Sequence, residues 1–172
     1  MKKAFFTFMA ICAIVFCGCE KDENGGGNGS IIIDGVKLVG TWACTADYFL
    51  LYWPEGPFDD NESAYKSFIK WADASWKDGD MIDYLLVIND DYSMEYYYAP
   101  NDGFVFKGGY LYNCSFNDFK TDHKIKFKIE NGKLYISDVL RGFKAINNDT
   151  IIIDETPWDP SPYRYQRVKG YK

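Results

Sequence analysis

The sequence predicts an all-β domain: an antiparallel barrel of about eight strands, with one helix inserted between the first two strands. Three observations predict it. Apolar side chains recur at period two through most of the chain after residue 30, in segments rich in Tyr, Phe, Ile and Val. Turn residues interrupt those segments at short intervals, as at Asn89-Asp90-Asp91, Asn101-Asp102-Gly103 and Asn147-Asn148-Asp149. One hairpin is written out in full, because Lys124-Ile125-Lys126-Phe127-Lys128-Ile129-Glu130 alternates strictly and Asn131-Gly132 supplies a type I′ turn into Lys133-Leu134-Tyr135-Ile136.

Taken in order, the strands are expected at 41–51, 84–88, 93–98, 103–107, 110–116, 124–130, 133–136, 150–154 and 163–169. Gly108-Gly109, inside an aromatic run, suggests a bulge or sharp bend. So many antiparallel strands need a sandwich or a closed barrel to protect their edges. The helix is expected over 61–77, where Tyr65, Phe68, Ile69, Ala72 and Trp76 repeat at helical spacing, Asp60-Asn61-Glu62 caps the start and Gly79 stops the end.

The chain has 172 residues with a net charge of −6, 47% hydrophobic and 19% aromatic residues. One folded domain suits that length. The acidic balance argues against a nucleic-acid partner, which needs a basic face.

The amino terminus reads as an address. Lys2 and Lys3 precede an apolar run over 4–16 that is too short to span a bilayer, so residues 1–18 read as a signal peptide. Phe16-Cys17-Gly18-Cys19 resembles the lipobox of bacterial lipoproteins, which implies acylation of Cys19 and a lipid-anchored chain in the membrane. Glu20-Lys21-Asp22-Glu23 resembles the short acidic export signal of Bacteroidetes surface lipoproteins, which implies an outer-membrane protein exposed at the cell surface. Residues 19–30 then form a Gly-rich tether, and the domain occupies 31–172. Loss of Lys2 and Lys3 takes the charge from −6 to −8. Cys44 and Cys114 are left in the domain, and an exported protein permits either a disulfide or two buried thiols.

Gly40-Thr41-Trp42 opens the first strand, and Tyr163-Arg164-Tyr165-Gln166-Arg167-Val168 closes the last. This layout resembles the lipocalin and wider calycin families, in which a G-x-W motif begins the barrel and a basic side chain from the far end packs over the Trp. The resemblance implies that Gly40, Trp42 and Arg167 form that structural motif, with Arg164 as the second choice of partner. Physically, a guanidinium over an indole gains cation–π energy and covers the ring. The further N-G-K-L-Y-I hairpin and N-D-T turn make the chain similar to small lipocalin-like lipoproteins of the Bacteroidetes. The long first connection implies that helix 61–77 serves as a lid.

Catalytic constellations are thin. His123 is the single histidine and is expected in a turn, and no nucleophile elbow, zinc helix or phosphate loop occurs. Paired carboxylates such as Asp78-Gly79-Asp80 fall at turns, and neither a metal nor a cofactor is expected. The expectation is a non-enzyme that binds a small hydrophobic or glycan-like ligand. Tyr96, Tyr98, Tyr110, Tyr112 and Phe127 are candidate inward-facing ligand contacts, and Trp76 is one from the helix. The alternative is a filled barrel acting as an accessory subunit that docks an outer-membrane protein.

Overall fold

A computed structural model describes residues 30–47, 62–100, 102–154 and 162–172. The predicted leader and most of the tether, residues 48–61, residue 101 of the expected Asn101-Asp102-Gly103 turn, and residues 155–161 lie outside the described residues.

The domain begins with a small hairpin that the strand assignment above omits. β1 (Ile32–Ile33) and β2 (Val36–Lys37) are joined by Asp34 and Gly35. Both turn residues have positive φ, 49° and 77°, as a two-residue type I′ turn requires. Ile31, Ile33, Val36 and Leu38 are buried, while Ile32 and Lys37 face solvent.

The main chain of elements follows: β3 (Gly40–Asp47), α1 (Glu62–Ser75), β4 (Met81–Ile82), β5 (Tyr84–Ile88), β6 (Ser93–Tyr98), β7 (Phe104–Lys107) and β8 (Tyr110–Leu111). After a 3-10 turn at Phe116–Asp118 come β9 (Lys120–Glu130), β10 (Lys133–Ile136), β11 (Val139–Arg141), β12 (Phe143–Asn147), β13 (Thr150–Asp154), β14 (Pro162–Arg167) and β15 (Gly170–Tyr171).

Nine strands form one antiparallel, barrel-like sheet in the order β11-β10-β9-β6-β5-β3-β14-β13-β12. Its two edges, β11 and β12, are consecutive in the chain and separated by Gly142 alone, so the sheet is nearly closed. A second sheet, β15-β8-β7-β4, holds four short strands, and its β15–β8 pair is parallel rather than antiparallel.

Alternation along β3 and β5 decides what lies where. Trp42, Leu86 and Ile88 point into an inner core with Met94, Tyr96, Phe127, Leu134, Ile151, Ile153 and Tyr165. Ala43 and Leu85, one residue out of phase, point into an outer core with Phe106, Leu111 and Phe119. The wall is therefore buried on both sides here, which is why β5 reads Tyr-Leu-Leu-Val-Ile without polar breaks. Each fully buried Leu or Phe contributes roughly 1.5–3 kcal/mol.

Several expectations change. The helix follows the third strand in chain order, because the β1–β2 hairpin precedes β3. Phe68 and Ala72 of its predicted stripe are fully buried. Arg164 sits between the inward Tyr163 and Tyr165, so it faces outward, and its Nη1 lies 2.9 Å from Asp73 Oδ1 of α1. The helix thus packs on the outer wall of the barrel and not over an end as a lid. Gly108-Gly109 forms the two-residue turn of the β7–β8 hairpin, with φ of 59° and 85°, rather than a bulge. The strand expected over 110–116 stops at Leu111, since Asn113 takes φ of 58° and the 3-10 turn follows. His123, expected in a turn, belongs to β9. Among the described residues, no helix is long and apolar enough to cross a membrane.

Candidate functional site

One end of the barrel is organised around Trp42. Its side chain is completely buried, and its Nε1 donates to the Leu38 carbonyl at 2.8 Å, so the β1–β2 hairpin is stitched under the indole. Arg167 pairs with Trp42 across β14 and β3 and lays its guanidinium over the ring, 4.1 Å from the centroid. Nη1 donates to the Val39 carbonyl at 3.2 Å and Nη2 to that of Lys37. Burial lowers the Arg167 pKa, with nearby Asp149 acting in the opposite direction. Gly40 is needed for this arrangement. It has φ of 141°, and a Cβ there would sit 2.9 Å from Arg167 Nη1. Arg164, the second candidate, is 6.0 Å from the Trp76 ring on the outer wall instead.

The candidate ligand residues are not brought together. Tyr96 and Phe127 lie in the inner core, 4% and 5% exposed, where they fill the barrel. Tyr96 stacks on His123 with centroids 4.3 Å apart. Tyr98 is the exposed end of β6. Tyr110 and Tyr112 belong to the smaller sheet region, where Lys172 Nζ approaches their rings at 3.7 and 5.9 Å. Trp76 stands apart from all of them, packed at 6.2 Å from Phe106. His123 Nδ1 is 2.9 Å from Asp122 Oδ2, which also accepts from the Tyr84 hydroxyl at 2.8 Å. That hydrogen bond to His123, then the one from Tyr84, lowers the Asp122 pKa. No serine or cysteine hydroxyl or thiol is hydrogen-bonded to His123 among the described residues.

Trp76 instead borders an open groove of about 660 Å³ on the outside of the barrel, where the β12–β13 turn, β14 and the β7–β8 turn converge. The groove walls carry the charges Asp78, Asp149, Arg167 and Lys169, which balance to zero. Asn147, Asn148 and Gln166 add amides. Among the described residues, the buried Trp76 Nε1 has no hydrogen-bond partner.

The walls are braced. Asn147 Oδ1 accepts the Asp149 N–H at 2.8 Å, Arg167 Nε donates to the Asn148 carbonyl at 3.3 Å, and Lys169 Nζ lies 2.8 Å from Asp149 Oδ2. The bond to Asp149 raises the Lys169 pKa. Across the groove, Asp78 Oδ1 accepts the Gly108 N–H at 2.7 Å. The sequence marks Trp76 as a candidate contact, whereas Asn147-Asn148-Asp149 reads there only as a turn. The density of amide and carboxylate groups in that turn, beside a Gln-Arg pair, was the usable signal.

Among the described residues, no group of three or more His, Cys, Asp or Glu side chains could hold a metal. Comparison with protein-family models, curated proteins and solved structures gives no match.

Proposed function

We propose that the chain is a lipid-anchored protein of the outer membrane, exposed at the cell surface, whose domain binds a neutral glycan-like ligand in the Trp76 groove. The groove's composition carries this reading. An aromatic ring suits stacking on a sugar face, amides and carboxylates suit hydroxyl groups, and zero net charge favours a polyol over an ion. Its volume lies within the range of small-molecule sites. The site differs from the barrel interior anticipated from the tyrosines, because Tyr96 and Phe127 occupy that interior.

The barrel itself fits a lipocalin-like architecture of eight strands. β11 and β12 then count as one strand bent at Gly142, the sheet becomes a simple meander, and β14 closes it against β3. Arg167 over Trp42 supports the same reading.

Calorimetric titration of the full chain with a panel of neutral oligosaccharides tests the binding. At least one should bind, and Trp76→Ala should weaken it by about ten-fold or more. Absence of any binder, or an unchanged affinity in the variant, rejects the reading. Cys19→Ala should release the protein from membranes on fractionation; continued retention rejects the anchor. The second reading, an accessory subunit docking an outer-membrane protein, draws on the packed inner core. In that case crosslinking in the native host captures a membrane partner and no sugar binds.

A further inference from the structure

We propose that Arg141 and Lys133 form a second site, for a small carboxylate with an apolar body, at the seam where the two edges of the large sheet meet. Arg141 pairs with Leu134 across β11 and β10, and Leu134 is a fully buried member of the inner core. Directly opposed residues share a face, so Arg141 points the same way, and it is only 7% exposed. Arginine is almost never buried to this extent without a partner. Here Nε has no hydrogen-bond partner, and the side chain makes no ion pair among the described residues. Leaving that buried donor unsatisfied is costly, and no carboxylate pairs with the guanidinium among the described residues.

The space beside it completes the argument. Arg141 lines a pocket of about 160 Å³ between the β1–β2 hairpin and the β10–β12 seam. Lys133 and Asp34 also line it, so the charged groups leave one net positive charge for a bound monoanion. Ile33, Leu134 and Phe143 supply the remaining wall, which suits an apolar body rather than a hydrated inorganic ion. At roughly 30 Å³ for each water displaced, the pocket takes about five waters, or a molecule of about five to eight non-hydrogen atoms. A planar carboxylate matches the guanidinium fork, and the hydrogen bonds so made are charge-assisted.

Thermal unfolding of the full chain with pentanoate, pentanamide or sulfate tests this site. Pentanoate should raise the unfolding midpoint saturably, whereas pentanamide, with the same shape and no charge, and sulfate, with charge and no apolar body, should not. Arg141→Met keeps the length and apolar contact but removes the charge, and should weaken pentanoate by about ten-fold or more. Trp76→Ala should leave pentanoate binding unchanged, which separates this site from the groove. Equal responses to pentanoate and pentanamide, a response to sulfate alone, or an undiminished affinity in Arg141→Met overturns the proposal. If Arg141→Met does not fold, Lys133→Gln at the exposed start of β10 decides: a loss of about three-fold or more supports the site, and unchanged affinity overturns it.

Discussion

The Arg167 guanidinium covers the buried Trp42 ring at 4.1 Å and from that position reaches three carbonyls on two separate stretches of backbone. It hydrogen-bonds the carbonyls of Lys37 and Val39 beside the first hairpin, and that of Asn148 in the β12–β13 turn. One side chain from the last barrel strand thus ties together the plug at the barrel end, the strand that opens the barrel, and one wall of the Trp76 groove. Its charge is spread over a plane, which lets it stack on the indole while its edge donates.

Arg167→Met should therefore destabilise the domain by about 2–4 kcal/mol, since it removes the cation–π contact and the charge-assisted hydrogen bonds to three backbone carbonyls. Arg167→Lys should recover only part of the loss, because an ammonium cannot stack and donate in several directions at once. Urea denaturation followed by tryptophan fluorescence measures both variants. A midpoint for Arg167→Met equal to that of the unmodified chain would refute the bracing role.

Asp91 gives a prediction about pH. Its carboxylate accepts from the Ser93 hydroxyl, from the Ser93 N–H at 3.1 Å, and from Lys126 at 3.0 Å. The Ser93 hydroxyl and then Lys126 hold its pKa at about 2, below the ordinary 3.8. The folded state thus prefers the charged form. This contribution is complete above the unfolded value and is lost as pH falls from about 4 through about 2. Asp91→Asn should lower the urea midpoint at neutral pH and flatten its acid limb between pH 4 and 2, with slope remaining from Glu95 and Asp122, whose pKa values are also depressed. An acid limb identical to that of the unmodified chain would remove Asp91 from the account.

The two domain cysteines should stay reduced. Cys44 packs against the inner core and Cys114 against the outer one, on opposite sides of the barrel wall, and no disulfide joins them. Burial raises the Cys114 thiol pKa, with Asp118 adding to the shift, so its thiolate and hence its alkylation at neutral pH are suppressed. Intact-mass measurement after alkylation in denaturant should find both thiols modified without prior reduction. Finding them linked would contradict this placement.

Local chemistry was legible where one face of a strand is wet and the other dry. The strands at 84–88, 93–98, 133–136 and 150–154 have the predicted bounds, and Asn131-Gly132 takes positive φ at both positions as its turn requires. The stretch 139–147 escaped because its exposure does not alternate. Val139 and Leu140 are both exposed, Arg141 is buried and Ile146 is exposed, so reading apolar as inward fails there. The Asp34-Gly35 hairpin had a readable turn, but its strands are too short to show a period.

The sequence by itself determined the β character, the tight turn at Asn131-Gly132, the helical stripe and the residues Gly40, Trp42 and Arg167. Each depends on chemistry within a few neighbouring positions or on a short motif. Tertiary structure decided that the helix covers the outer wall, that Tyr96 and Phe127 fill the inner core, and that Trp76 meets the Asn147–Asp149 turn in a groove. Those outcomes depend on which face of each strand a second layer covers, and a period-two pattern is the same whether the opposite face meets water, a helix or another sheet.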